Sequence, residues 1–209
     1  MKENVEYLKD LRDVRLLMER SSKFLSLSGV SGIMAGLYAL ICAYMVYADL
    51  FHSVHMGRGE LPMLLDTFET RISLLGYGSV TLVLALATGI ILTLRKARKK
   101  QQKVFSKPAF QLFFSLLIPL VIGGIACLIM ILKGELLFVG SLTLIFYGLS
   151  LINASVYTYS DIKGLGLVQC FLGLLSLYFT GYSLLFWALG FGVAHIIYGV
   201  IMHFKYDKG

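Results

Sequence analysis

Charged residues are scarce in this chain, making up only 15% of its 209 positions. A soluble globular domain carries about 25%, so the shortage argues against a protein whose whole surface faces water. Apolar residues account for 57% of the chain, and they fall into long blocks that hold few or no charges. The composition therefore indicates an integral membrane protein.

Cysteine is also scarce, and the three present, Cys42, Cys127 and Cys170, all lie inside apolar blocks. An odd number of such thiols without a CxxC motif predicts neither a disulfide framework nor a zinc site. We expect them to pack as small apolar residues. The sequence also lacks a P-loop, a dinucleotide-binding glycine motif, a nucleophile elbow and an HExxH motif. We therefore expect no enzymatic activity and no cofactor.

Six apolar blocks are long enough to cross a membrane as helices, which takes about 20 residues each. No block alternates strictly between apolar and polar residues, so a bundle is favoured over a barrel. The predicted fold is an all-α polytopic bundle, residues 24–204. Its spans are 24–48, 72–94, 108–132, 136–159, 162–180 and 183–204, and a short tail, 205–209, follows.

Lysine and arginine are distributed unevenly between these spans. Sixteen of the 19 lie in connections that fall on one side of the predicted bundle, and three lie on the other side. Basic residues close to a span are retained in the cytoplasm. We therefore expect a multi-pass protein of the cell (cytoplasmic) membrane with both termini in the cytoplasm.

The N-terminal segment, residues 1–23, mixes acidic and basic residues and repeats apolar ones at helical spacing. This pattern predicts a cytoplasmic amphipathic helix. Such a helix either lies against its own bundle or the lipid headgroups, or docks a partner through a coiled coil.

A basic loop, 95–107, follows the second span. Beside a membrane, its positive charge is explained by cytoplasmic retention and by attraction to anionic lipid. An acidic cytoplasmic protein is the other partner we consider, and nucleic acid is not expected. The basic residues assigned to this role are Arg95, Lys96, Arg98, Lys99, Lys100 and Lys103.

Polar side chains inside the spans are few, and three of them share a similar depth. Helical rise places Asn153, Gln169 and His195 roughly 9 to 13 Å from the cytoplasmic ends of their spans. Ser28 and Ser31 of the first span lie at a comparable level. Unsatisfied polar groups are costly in hydrocarbon, so these side chains should face the interior. They form either an interhelical hydrogen-bond cluster or a polar pocket open to the cytoplasm, in which the ionisable His195 would matter most.

Small residues recur at four-residue spacing on three spans and allow helices to approach closely. They serve packing within one bundle or association into a homo-oligomer. The residues are Gly32 and Gly36 on the first span, Ala85 and Gly89 on the second, and Ala188 and Gly192 on the sixth.

His52 and His55 form an HxxH pair in the external loop. Histidines at this spacing can share a metal ion, but a site without a further His or Cys ligand is weak. We therefore expect no metal centre, and these two residues are the weak candidates.

The last four spans resemble two related hairpins. The first contains Gly134-Glu135-Leu136-Leu137-Phe138 and Ile145-Phe146-Tyr147-Gly148, and the second contains Gly181-Tyr182-Ser183-Leu184-Leu185-Phe186 and Ile196-Ile197-Tyr198-Gly199. Over residues 123–202 the chain resembles the small six-helix bacterial membrane proteins of the HdeD type. These are built from Gly-rich hairpins and are associated with acid-stress resistance. The charged N-terminal segment and the basic loop depart from that pattern, so no functional residue is carried over.

Taken together, these features predict a non-enzymatic membrane component or accessory protein that acts through its cytoplasmic face. The alternative is a small-solute permease or channel with a polar pocket in the cytoplasmic half of the bundle.

Overall fold

The computed structural model describes residues 23–24, 28–56, 67–99, 101 and 106–207. All regular structure within these residues is helical, and six helices are long and apolar enough to cross a membrane, which confirms that part of the predicted fold. They are α1 (Gly29–His55), α2 (Phe68–Lys99), α3 (Lys107–Lys133), α4 (Leu136–Ala154), α5 (Asp161–Tyr178) and α6 (Thr180–Asp207). The amphipathic helix predicted within residues 1–23 lies outside the described residues except for Lys23.

Two of the helices are interrupted or extended by other helical turns. A 3-10 turn, Ser155–Tyr157, follows α4. Helix α6 opens with a 3-10 turn, Thr180–Tyr182, continues as α-helix over Ser183–Trp187 and His195–Met202, and contains π-helical stretches over Ala188–Ala194 and His203–Asp207.

The boundaries of α3 show how local sequence sets the helix ends. Ser106 precedes the helix, and its side-chain oxygen accepts a hydrogen bond from the Ala109 N–H at 3.4 Å. Proline suits the first helical turn, where its missing N–H costs nothing, and Pro108 lies there. The helix ends at Gly134, whose φ of 84° is a left-handed conformation that glycine adopts without strain. This turn leads directly into α4.

The helices pack in an order that leaves two of them at the periphery. Helix α2 packs against α1, α1 packs against α6, and α6 packs against α4 and α5, while α3 packs against α4. No residue in the most apolar stretch of α2 is buried, and few are in α3. These two helices therefore present broad apolar faces of the kind that lipid covers.

The first residues of α1, α3 and α5 and the last residues of α2, α4 and α6 meet at one end of the bundle, which we call the Asp207 end. A small buried cluster there joins Phe24 to Ala97, Leu112 and Ala154. The Phe24 N–H donates to the Tyr157 carbonyl at 2.8 Å. The chain preceding α1 is thus attached to the ends of α2, α3 and α4.

Glycines bring α1 and α6 into backbone contact. A Cβ atom added to Gly32 would lie 3.2 Å from the Gly199 Cα, and one added to Gly36 would lie 2.7 Å from the Gly192 carbonyl oxygen. Three of the predicted packing residues, Gly32, Gly36 and Gly192, therefore lie at this crossing. On α2, a Cβ added to Gly89 would meet nothing within 4 Å. Ala85 and Ala188 are half-buried.

A second glycine crossing joins α4 and α5. A Cβ added to Gly148 would lie 2.6 Å from the Gly166 carbonyl oxygen, and one added to Gly166 would lie 2.7 Å from the Gly148 carbonyl oxygen. These distances are shorter than carbon and oxygen atoms tolerate without movement. The crossing therefore requires glycine on both helices.

Two glycines on α5 allow a matched test of this crossing. Gly166→Ala should lower the free energy of unfolding by about 1–3 kcal/mol, because the added methyl group overpacks the crossing. Gly164→Ala should leave it unchanged or raise it by up to about 1 kcal/mol, because the position is open and alanine is the better helix former. Thermal unfolding in detergent would measure both, and equal shifts would contradict the close crossing.

Candidate functional site

In the π-helical stretch Ala188–Ala194, the carbonyl of Gly190 accepts two side-chain hydrogen bonds, one from Gln169 of α5 and one from His195 of α6. An extra residue in a helical turn disturbs the regular backbone ladder and is frequent at functional sites. A Cβ on Gly190 would lie 2.4 Å from the Leu144 side chain and 2.5 Å from the Gln169 Oε1. A side chain here would require the ends of the Leu144 and Gln169 side chains to move.

His195 is 5% exposed, and both of its ring nitrogens have partners. Its Nδ1 lies 3.0 Å from the Gly190 carbonyl oxygen and its Nε2 lies 2.9 Å from the Tyr147 hydroxyl. A carbonyl can only accept, so we assign the proton of the neutral imidazole to Nδ1, and Nε2 then accepts from the tyrosine hydroxyl. In this tautomer the hydrogen-bonding capacity of the imidazole is used inside the bundle. Its ring stacks on Tyr147 and Phe191 at centroid distances of 5.3 and 5.7 Å.

Gln169 of α5 is fully buried beside this histidine. Its Nε2 donates to the Gly190 carbonyl at 2.8 Å. The same nitrogen lies 3.2 Å from His195 Nδ1, a contact between two donors once Nδ1 is protonated. The Gln169 Oε1 has no hydrogen-bond partner among the described residues, and neither has the buried hydroxyl of Tyr198. One buried polar atom on α5 and one on α6 thus have no hydrogen-bond partner among the described residues.

The other residues proposed for the polar pocket lie apart from this pair. Asn153 is on the exposed side of α4, where its Nδ2 donates to the Ser115 carbonyl of α3 at 2.9 Å. Ser31 donates to the Ser28 carbonyl at 2.6 Å within the first turn of α1. The structure therefore brings together Gln169 and His195, and it adds Tyr147 and Gly190.

Three buried serines form a separate hydroxyl chain in the other half of the same three-helix contact. The Ser141 and Ser176 oxygens are 2.7 Å apart, and Ser176 donates to Ser183 at 3.3 Å. Leu144 is fully buried one turn along α4 from Ser141 and packs against Gly173 and Gly190. An apolar side chain therefore lies between the serines and the histidine cluster.

Asp207 organises the end of the bundle that bears its name. Its carboxylate accepts from the Gly29 N–H at 3.0 Å, pairs with Lys96 and lies 3.3 Å from His203 Nδ1. The Asp207 and Lys96 side chains are each 11% exposed. A negative charge is favourable at a helix N-terminus, so this carboxylate ties the start of α1 to the ends of α2 and α6.

Asp161, at the start of α5, forms a second polar group at the same end. It accepts from Lys205 at 2.8 and 3.1 Å and from the Tyr206 hydroxyl at 2.7 Å. The Tyr206 ring lies against Tyr159 with a centroid distance of 4.1 Å. Because Lys205 is 53% exposed, this pair faces the surroundings of the bundle.

The residues of the basic loop divide into two kinds. Arg95, Arg98 and Lys99 are exposed at the end of α2, while Lys96 is engaged with Asp207 and also lies over the Tyr159 ring at 5.6 Å. The remaining two candidates, Lys100 and Lys103, lie outside the described residues.

The weak metal candidates, His52 and His55, occupy the last turn of α1. His55 Nδ1 bonds the Phe51 carbonyl at 3.0 Å, and its ring lies 3.9 Å from the Phe51 ring. Across the part of the chain that the structure describes, no group of three or more His, Cys, Asp or Glu side chains could hold a metal ion.

Sequence reasoning missed Tyr147, Gly190 and Asp207 as site residues. Tyr147 lies three residues after Leu144 and four before Leu151, and helical spacing could have placed it near their buried face. The pairing of Asp207 with Lys96 could have been anticipated from the predicted topology, which puts both at one end. The π-helical stretch around Gly190 could not have been predicted from residue spacing or from topology.

Comparison of the chain with protein-family models, curated proteins and solved structures found no match. The resemblance to HdeD-type membrane proteins therefore stays a prediction.

Removing the hydroxyl that bonds the histidine should weaken the contact between α4 and α6. Tyr147→Phe is expected to lower the free energy of unfolding by about 0.6–1.7 kcal/mol, which runs from the average to the largest value for hydrogen bonds between membrane helices. Tyr178→Phe, at a position 81% exposed, is the matched control and should have no effect. Unfolding by denaturing detergent would compare the two, and an equal loss in both would argue against the Tyr147–His195 bond.

Proposed function

We propose that the chain is a multi-pass protein of the cell membrane whose Asp207 end lies in the cytoplasm, and that it acts there as a non-enzymatic component or accessory protein. The distribution of basic residues supports this orientation. Sixteen of 19 lysines and arginines fall in the connections that the six-helix order assigns to that end, and basic residues beside spans are retained in the cytoplasm.

The observation that carries this proposal is the close packing of α4, α5 and α6 around the buried histidine. At Gly148, Gly166, Gly173 and Gly190, an added Cβ atom would come within 3 Å of a neighbouring helix. Both nitrogens of His195 bond inside this contact. Hydrogen bonds between buried groups stabilise one arrangement of helices, so we propose that the contacts of His195 with Gly190 and Tyr147 help to hold α4 and α6 together.

The surface of the Asp207 end offers the charged groups through which the protein would act. Arg95, Arg98, Lys99 and Lys163 are exposed there. Exposed basic side chains attract anionic headgroups and acidic protein segments. We propose an acidic cytoplasmic protein as the partner, with the lipid surface as a second contact.

A small-solute permease or channel is the second candidate, favoured by one specific observation. The fully buried Gln169 Oε1 has no hydrogen-bond partner within the described segments. A buried acceptor of this kind can bind a small hydrogen-bond donor. The close packing around it makes this candidate the weaker of the two.

Labelling of single added cysteines tests the orientation. On intact cells, a membrane-impermeant maleimide should label Lys133→Cys and leave Lys99→Cys and Lys163→Cys unlabelled, whereas all three should react after permeabilisation. The wild-type chain is the control, since its own cysteines lie within α1, α3 and α5. Labelling of Lys99→Cys from outside the cell would reverse the proposed orientation.

Site-specific photocrosslinking tests the partner. A photoreactive residue at position 163 should give a discrete adduct that disappears in the Arg95→Gln, Arg98→Gln, Lys99→Gln variant, because that change removes exposed charge and leaves the Lys96–Asp207 pair in place. The same probe at position 133 with the same background is the control. An adduct that persists in the triple variant, or forms equally from position 133, would contradict a partner bound through this basic surface.

A further inference from the structure

Polar residues of α5 and α6 recur on the faces that these helices turn toward each other. On α6, His195, Tyr198 and Tyr206 are spaced so that they lie on one side of the helix, as residues three and four apart do. On α5, Asp161 and Gln169 are two turns apart and also share a face. The Tyr206–Asp161 bond joins the two faces at the Asp207 end, and the contact of Gln169 with His195 joins them deeper in the bundle.

Three tyrosines lie between these two points. Tyr147, Tyr198 and Tyr206 all pack against the same buried cluster, which is formed by Leu151, Tyr159, Ile162, Leu165 and Met202. Helical rise separates Tyr206 from His195 by about 16 Å along α6. The hydroxyl of Tyr198 is buried and bonds no described residue, so a water molecule on each side would be needed to link it to the hydroxyls of Tyr147 and Tyr206.

We propose that the groups from Asp161 through Tyr206, Tyr198 and Tyr147 form a proton path by which the His195 imidazole exchanges protons with the Asp207 end. We further propose that Leu144 closes this path toward the opposite end of the bundle. The inference relies on the membrane location proposed above, and it adds an activity that an accessory role does not require.

The proton transfer balances at each step. Tyr147 passes its hydroxyl proton to His195 Nε2, and its oxygen takes a replacement proton from a water molecule that links it to Tyr198. The net change is one proton taken up at the Asp207 end and one positive charge on the imidazole. Release follows the reverse sequence.

Among the described residues that approach the imidazole, none carries a fixed charge. Tyr147 faces it from α4, the neutral amide of Gln169 from α5 and the ring of Phe191 from its own helix, while Gly32 of α1 approaches its carbonyl. The charged groups nearest along the path are Asp161 and its partner Lys205 at the Asp207 end. Protons would therefore enter from that end.

The closure by Leu144 follows from its position. The side chain is fully buried between the Gln169–Gly190 contact and the chain of Ser141, Ser176 and Ser183. Beyond Leu144, the Ser176 hydroxyl oxygen lies 2.7 Å from that of Ser141 and 3.3 Å from that of Ser183. One apolar side chain thus separates two hydrogen-bonded groups, and a proton cannot pass along it.

Proton flux into vesicles tests this closure. The purified full chain is reconstituted into vesicles that contain a pH-sensitive dye, and flux is driven by a potassium gradient with valinomycin. The wild-type protein should give no flux above empty vesicles. Leu144→Ser should raise the flux severalfold above that of empty vesicles. The double variant Leu144→Ser, His195→Gln should return it to the level of empty vesicles. Leu149→Ser, on the exposed side of α4, is the matched control and should behave as wild type.

Two results would overturn the proposal. One is a folded Leu144→Ser protein, with the melting behaviour of Leu149→Ser, that gives no flux. The other is a Leu144→Ser flux that persists after His195→Gln, since protons would then cross elsewhere. A third outcome is that the wild-type protein itself conducts protons and that His195→Gln abolishes this flux. That outcome would support the path and refute the closure by Leu144.

Proton exchange at His195 gives a second measurement that does not depend on changing Leu144. Nuclear magnetic resonance of the imidazole nitrogens in bilayers should show slower exchange in Tyr198→Phe, because that change removes the hydroxyl that we propose links Tyr147 to Tyr206. Tyr182→Phe, at an exposed position near the opposite end, should exchange at the wild-type rate. Equal exchange in both variants would refute the tyrosine path even if the orientation of the protein were as proposed.

Discussion

Close approach of helix backbones at glycine residues is the interaction on which the rest of this bundle depends. Lipid tails are as apolar as leucine, so helices in a membrane gain little by burying apolar side chains and associate mainly through short-range packing. Here Gly32 and Gly199 join α1 to α6, and Gly148 and Gly166 join α4 to α5. Because these backbones are so close, even a short side chain such as serine can form a hydrogen bond to the next helix.

The extra residue in the π-helical stretch of α6 gives this packing a chemical consequence. It directs the Gly190 carbonyl at its neighbours, and the missing side chain of that glycine leaves the space that the Gln169 amide occupies. Two donors, Gln169 and His195, then share one acceptor. Because unsatisfied polar groups are costly in hydrocarbon, these bonds fix how α5 and α6 are rotated against each other.

The sequence allows prediction of how deep a residue lies in the bundle, but not of the side of the helix on which its side chain lies. The six helices are predictable because bilayer thickness sets the length of an apolar block. Helical rise also places Asn153, Gln169 and His195 at a similar level, and the structure puts Gln169 and His195 in contact. Asn153 faces away toward Ser115, since depth does not tell which side of a helix a residue occupies. The π-helical stretch adds to this difficulty, because one extra residue turns all that follows by about 100°.

The carboxylate of Asp207 connects three helices at its end of the bundle. Asp207 holds the first turn of α1 and the end of α2 at once, through Gly29 and Lys96. The exposed residues Arg98 and Lys99 follow Lys96 within one turn of the same helix. The exposed basic residues at the end of α2 are therefore connected through the Lys96–Asp207 pair to α1 and α6. These two helices meet along their glycines, and α6 carries His195.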